Sequence, residues 1–196
     1  MKKLGLDLVT DELALVEQRM LEPDLDRHES VNLAVTHLIK SGGKRIRPIV
    51  TLLVCKMLGA PCGPAVSLAA AVEMLHTATL VHDDIIDEAE TRRGLPSANR
   101  VYGNQFTVLL GDYLYIHAMN MALAAREIRV IDVLAEATER MIEGEILGHH
   151  LRHRPDVTEA QHLAIVERKT AWLFAACCRL PAILRHRRPE VEEAVA

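Results

Sequence analysis

Aromatic side chains are scarce in this chain: one Trp, three Tyr and two Phe, 3% of 196 residues. The core must therefore be filled by Leu, Val, Ile, Ala and Met, within a hydrophobic content of 49%. That balance favours helices over β-architectures, which lean on aromatic and β-branched strands. No segment shows the two-residue alternation of a half-buried strand, and no internal repeat or low-complexity tract is present. Four cysteines, Cys55, Cys62, Cys177 and Cys178, lack any CxxC spacing. They read as reduced core residues of a cytoplasmic protein. A net charge of −4 gives no support for nucleic-acid binding. A signal-peptide pattern is interrupted by Asp7, Asp11 and Glu12. The nearest approach to a membrane span is 107–125, but Gly111, Asp112, His117 and Asn120 make it read as a buried helix. The expectation is a soluble protein with no membrane span.

What is present is helical periodicity. Apolar residues recur at helical spacing over 4–21, with Thr10-Asp11-Glu12 as a start signal. A second helix is expected over 28–40, stopped by Ser41-Gly42-Gly43. A third runs over 48–58, ended by Gly59-Ala60-Pro61. A fourth starts near Gly63-Pro64 and reaches Asp87. Residues 91–98 read as loop, broken by Gly94 and Pro96. Further helices are expected over 106–124, 130–150 and 158–184, the last two divided by Arg154-Pro155-Asp156. The length suits one domain, 1–196, folded as an all-α bundle of seven or eight elements.

Chemistry concentrates in Asp83-Asp84-Ile85-Ile86-Asp87, followed by Arg92-Arg93-Gly94. On a helix Asp83 and Asp87 form an i,i+4 pair on one face, where like charges repel. Clustered acids usually mark a solvated helix end. The apolar run before these, 69–81, and the arginines after them turn the reading toward a cation. Oxygen-only ligands suit magnesium, which keeps several waters and shares its shell with phosphates. Arginine forks match phosphate oxygens. The second constellation is Gly42-Gly43-Lys44-Arg45-Ile46-Arg47-Pro48, where glycines free the backbone and cations flank a helix start, an arrangement that receives phosphate. His76 lies two helical turns before Asp83, within reach of such a phosphate. Glu143-Gly144-Glu145 and Lys169-Thr170 are weaker signals, taken alone most often exposed polar positions.

Together these segments resemble the trans-isoprenyl diphosphate synthases, most closely the long-chain octaprenyl or solanesyl branch. Residues 42–48 are similar to that family's isopentenyl diphosphate loop, and Leu80 to Asp87 with Arg92-Arg93-Gly94 to its first aspartate-rich motif. Gly111-Asp112-Tyr113-Leu114, Glu143-Gly144-Glu145 and Lys169-Thr170 follow in family order, so the likeness covers about residues 5–185. The resemblance implies an isoprenoid-synthase bundle around a central cavity, a homodimer and a magnesium cofactor. It implies that Lys44, Arg47, His76 and Arg93 hold isopentenyl diphosphate. Asp83 and Asp87 would bind magnesium bridging to an allylic prenyl diphosphate, with Arg92, Lys169 and Thr170 on its oxygens, and Asp83, Asp84, Asp87 and Lys169 as the catalytic set. In short-chain members bulky aromatics just before the first aspartate form the floor of the chain pocket. Here Ala78 and Thr79 stand there, implying a long product. The 106–125 helix is the candidate dimer interface.

The sequence also departs from the family. Downstream of Thr170 the acids are Glu190, Glu192 and Glu193, which do not form a second aspartate-rich motif. Gly148-His149-His150 stands where a glutamine commonly follows, and Pro181 falls inside the last long helix. The expectation is an N-terminal part of a synthase, incomplete at its C-terminus, that binds diphosphates weakly and condenses them poorly. Two alternatives stay open: a non-catalytic small subunit that pairs with a complete synthase, and an HD-type metal phosphohydrolase suggested by His82-Asp83 with His76 and His37 upstream.

Overall fold

The computed structural model describes residues 5–22 and 28–196. The expected first helix starts at Leu4, which lies outside the described residues. A short 3-10 turn, Leu6–Leu8, leads into helix α1, Thr10–Leu21, whose buried face carries Val16 and Met20. Helix α2, Glu29–Lys40, is capped by the His28 side chain accepting from the Ser30 N–H. It ends just before Gly42, whose φ of 81° only glycine adopts freely. Helix α3, Ile46–Leu58, stops at Gly59 in the left-handed region.

Helix α4, Cys62–Ile86, is the hub. It packs against α1, α3 and three later helices, and Leu68, Val72, Met74 and Leu75 on it are buried. Each such side chain contributes about 2 kcal/mol over an exposed one. Among the described residues α4 is the one helix long and apolar enough to cross a membrane, and 67% of its apolar stretch is buried within the fold. The nearest span read from sequence was 107–125 instead. That segment lies in α6, Asn104–Leu123, which follows the short α5, Ala98–Tyr102. Helix α6 lies along α4 at close range because Gly111 faces the His82 ring, where a Cβ would collide.

Helix α7, Ile128–Leu151, is followed by α8, Glu159–Val166, which opens on a capping box between Thr158 and Gln161. One wide π turn, Glu167–Ala171, joins α8 to α9, Trp172–Leu184. The segment read as one helix over 158–184 is thus two helices joined by that turn. Helix α9 runs through Pro181 with one turn left to make, so the missing N–H falls near its end. Helix α10, Pro189–Val195, is pinned by buried Glu192, which accepts from Arg129 at 2.9 and 2.7 Å. The fold is all-α, as the composition implies.

The loop expected over 91–98 needs correcting. Thr91–Arg92 (β1) and Leu95–Pro96 (β2) pair antiparallel, Arg92 opposite Leu95. Arg93 and Gly94 turn between them with φ of 53° and 81°, as a two-residue hairpin requires. Strands of two residues are too short to show alternation in sequence.

Candidate active site

Two cavities share a wall. The first, of about 400 Å³, is lined by Asp83, Glu145, Lys169 and Thr170 together with apolar Leu80, Ile86, Met141, Ile142 and Ile146. The second, of about 530 Å³, is lined by Gly43, Lys44, Arg45, Arg47, Glu73, His76, Arg93 and Phe174. Arg47 and His76 belong to both. The four residues expected to hold isopentenyl diphosphate therefore converge on one basic cavity, and Asp83, but neither Asp84 nor Asp87, lines its neighbour.

Local packing explains the convergence. Gly43 lets Arg93 of the hairpin lie across the basic loop, since a Cβ on Gly43 would sit 2.6 Å from the Arg93 guanidinium. Arg45 borders the same cavity but is committed to partners within the fold. It is buried and donates to Glu17 and Glu73, both at 3.2 Å, and to the Ile39 carbonyl at 2.9 Å. These bonds anchor the loop to α1, α2 and α4. His76, half-buried on α4, has its basicity driven down to about 3 by burial and then by Arg47, Arg93 and Arg92. It is a neutral imidazole at neutral pH, and its buried Nδ1 has no hydrogen-bond partner.

On the carboxylate side, Gly144 lets α7 press against the π turn. A Cβ there would lie 2.7 Å from the Lys169 backbone nitrogen. The contact brings Lys169 Nζ onto Glu145 and within 3.6 Å of Asp83. Burial pushes Lys169 toward lower basicity, but its bond to Glu145 and the charges of Asp83, Glu145 and Asp87 outweigh it and the net shift is upward. Asp83 moves above the ordinary carboxylate range, first through burial, then through Glu145 and Asp87 against the opposing pull of Lys169. A π turn places these groups where a regular helix would not.

The acidic triple divides by helix geometry. Asp84, one residue beyond Asp83 and so about 100° around α4, points into the fold. It accepts from Arg92 Nε at 2.7 and 2.8 Å and does not line the carboxylate cavity. Arg92 is held there, with its pKa raised chiefly by that hydrogen bond. Asp87 closes the end of α4, half-exposed and paired with Arg152. Thr79 lines the carboxylate cavity, while Ala78 is buried in the core. His82 points to α6, 3.2 Å from the Val108 carbonyl and 3.5 Å from Asp112. His37 lies edge-on to Tyr102. His76 and His82 both line the carboxylate cavity, but among the described residues no three His, Cys, Asp or Glu side chains gather as a metal centre, so the HD-type reading lacks its metal pair.

Three contributions were not legible in the sequence as site features: Glu145 as the partner of Lys169, Phe174 beneath Arg47, and Arg152 on Asp87. Only Glu145 left a trace, as part of a glycine-interrupted acidic pair inside a helix. The donor set also bears on the expected metal. Among the described residues no three His, Cys, Asp or Glu side chains gather closely enough to cage an ion. Asp83, half-buried and crowded by Glu145 and Asp87, is nonetheless short of positive charge. The arrangement fits a hard divalent cation that takes most of its shell from water and phosphate.

The helical bundle thus sets a basic cavity against a carboxylate–lysine cavity. The chain belongs to the polyprenyl synthetase family, whose model matches residues 28–196. It is 35% identical over 187 residues to an octaprenyl diphosphate synthase of Escherichia coli, covering 95% of this chain and 58% of that protein. It is 37% identical to a geranyl-diphosphate-specific all-trans-nonaprenyl-diphosphate synthase of Rhodobacter capsulatus, covering 97% and 61%. A polyprenyl synthase of Caulobacter crescentus, crystallised with calcium and isoprenyl diphosphate, matches with a TM-score of 0.88 at 34% identity, over 97% of this chain and 58% of that one. The chain thus spans about 60% of the length of these relatives.

Proposed function

We propose that this site serves prenyl-chain elongation, the condensation of isopentenyl diphosphate with an allylic prenyl diphosphate. One observation carries the reading: Arg47 and His76 form a common wall between a cation-rich cavity and a carboxylate cavity. Two anionic substrates on either side of that wall would have their reacting ends brought together. Lys44, Arg47, His76 and Arg93 would hold isopentenyl diphosphate. Lys169 and Thr170 would hold the allylic diphosphate, and Asp83 with Asp87 would hold magnesium ions shared with it. Magnesium, when bound, supplies charge stabilisation to the departing diphosphate oxygens.

The chemistry breaks the allylic C–O bond, with the electron pair leaving on diphosphate. The isopentenyl double bond then attacks the allylic cation, forming a C–C bond. Loss of a proton from the carbon adjacent to the new cation, taken up by the released diphosphate, restores a double bond. Lys169 and Arg47 stabilise the negative charge that grows on the leaving group. Leu80, Ile86, Met141, Ile142 and Ile146 offer the prenyl chain an apolar wall that keeps water from the cation. Asp84 serves this scheme by fixing Arg92, and with it the hairpin that carries Arg93. The small side chain of Thr79 on the cavity wall would leave room for a long product, whereas Ala78 packs in the core behind it.

The homodimer reading rests on α6, whose outer side carries exposed Leu109, Ile116 and Leu123 at seven-residue spacing. Sedimentation at micromolar concentration should show a dimer that Ile116→Glu dissociates; a monomeric unmodified chain contradicts it. A cytoplasmic location accords with Cys55 and Cys177, whose thiols burial pushes up to about 12 and so keeps unreactive. Calorimetric titration with isopentenyl diphosphate and farnesyl diphosphate tests the main reading. Non-competing binding of the two, with farnesyl diphosphate requiring magnesium, is expected. Mutual exclusion of the two ligands would overturn it.

A further inference from the structure

Arg45 and Arg47 lie two residues apart and are held in opposite ways. Arg45 is bonded to Glu17, Glu73 and a main-chain carbonyl. Arg47 is half-buried with its Nε unpaired, and burial pushes its basicity down. A guanidinium so placed is ordinarily held by a carboxylate, because an uncompensated charge in a dry environment is costly. Here the partner is a ring: the Arg47 Cζ stands 4.7 Å from the centre of Phe174. Among the described residues the only carboxylate lining the basic cavity, Glu73, is taken by Arg45.

Phe174 reaches this position through the π turn Glu167–Ala171 just before it. One extra residue in a turn rotates the downstream helix by about 100° relative to a continuous one. Lys169 and Thr170 therefore line one cavity and Phe174 the other. An aromatic face attracts a guanidinium and fixes its plane without neutralising its charge.

We propose that Phe174 is a positioning residue that holds Arg47 by its ring and leaves the whole guanidinium charge to an incoming diphosphate. This rests on the diphosphate reading of the basic cavity. A carboxylate in place of the ring would hold the arginine equally well but would compete with the ligand. Phe174 lines the cavity but offers an anion no polar atom.

The test is a double-mutant cycle read by calorimetry with inorganic pyrophosphate in EDTA, so that the carboxylate cavity and its metal play no part. Phe174→Leu should weaken pyrophosphate binding by between about twofold and about thirtyfold. In an Arg47→Lys background the same change should alter affinity by less than about twofold, and Phe174→Tyr, which keeps the ring, should restore the unmodified affinity. A second measurement needs no folded Phe174→Leu variant. The Nε–H resonance of Arg47, identified by its loss in Arg47→Lys, should be shifted upfield by the ring current in the ligand-free chain. Equal weakening in both backgrounds, or an Arg47 resonance at the ordinary arginine position, would overturn the role of Phe174 alone. Failure of the unmodified chain to bind pyrophosphate would instead overturn the diphosphate reading beneath it.

Discussion

The two cavities lie either side of one wall and differ in what they lack. The basic cavity gathers Lys44, Arg47, His76 and Arg93, and among the described residues its single lining carboxylate is already bonded to Arg45. It is charged for an anion before one arrives. The carboxylate cavity sets Asp83 and Glu145 around one ammonium, Lys169, with Asp87 a helical turn beyond. It needs further positive charge before it can receive an anion. On the proposed reading, two ligands of the same chemistry need different preparation: one cavity would bind diphosphate as it stands, the other only with a cation.

The sharpest way to break this contrast is to remove the residue common to both sides. Arg47→Ala should weaken metal-free pyrophosphate binding by about a hundredfold, the scale of losing a desolvated charged partner; calorimetry in EDTA checks it. A loss of less than about threefold would show that the basic cavity does not depend on its buried arginine.

Asp83→Asn acts on the other side. Magnesium-dependent binding of farnesyl diphosphate should fall by about thirtyfold, while pyrophosphate binding in EDTA stays within about twofold. If both fell together, the cavities would be one site.

The same residues show how much of the molecule was readable from the chain. The glycine and proline stops at Gly42-Gly43, Gly59-Ala60-Pro61 and Arg154-Pro155 place the helices, because chain conformation there is decided locally. The ordered motifs name the basic loop and the carboxylates. Spacing alone could not say that Asp84 turns inward to Arg92 while Asp83 faces the cavity, since the rotation of α4 is set by its packing against α6 and α3. Arg152 lies 65 residues from Asp87, and Phe174 meets Arg47 across the fold. Such pairs exist only once the tertiary structure does. The π turn, too, has no sequence signal of its own, and the hairpin strands were too short to announce themselves.

Gly144→Ala tests how α7 supports the carboxylate side. The added Cβ must displace the Lys169 backbone, 2.7 Å away, at a cost of about 1 to 3 kcal/mol. Thermal unfolding should show a midpoint lower by several degrees, and farnesyl diphosphate binding should weaken more than metal-free pyrophosphate binding. Unchanged stability would contradict the close packing of α7 on the π turn.

His76 gives the finest discrimination, because its effect is read through pH. Its folded pKa, about 3, lies below the ordinary 6.5. The unfolded chain therefore takes up a proton that the folded chain refuses. The contribution of His76 to stability is complete above pH 6.5 and is lost as pH falls from there toward 3. His76→Gln should flatten that part of the pH–stability curve, measured by urea unfolding between about pH 4 and 7. Pyrophosphate binding should also raise the His76 pKa, read by NMR, because an anion beside the ring favours its protonated form.

The central claim is that the two cavities bind diphosphate under different conditions. Calorimetric titration of the chain with inorganic pyrophosphate, first in EDTA and then in excess magnesium, tests it most directly. The account predicts one pyrophosphate per chain without metal and a second when magnesium is added. No binding in EDTA, or a single pyrophosphate per chain under both conditions, would contradict it.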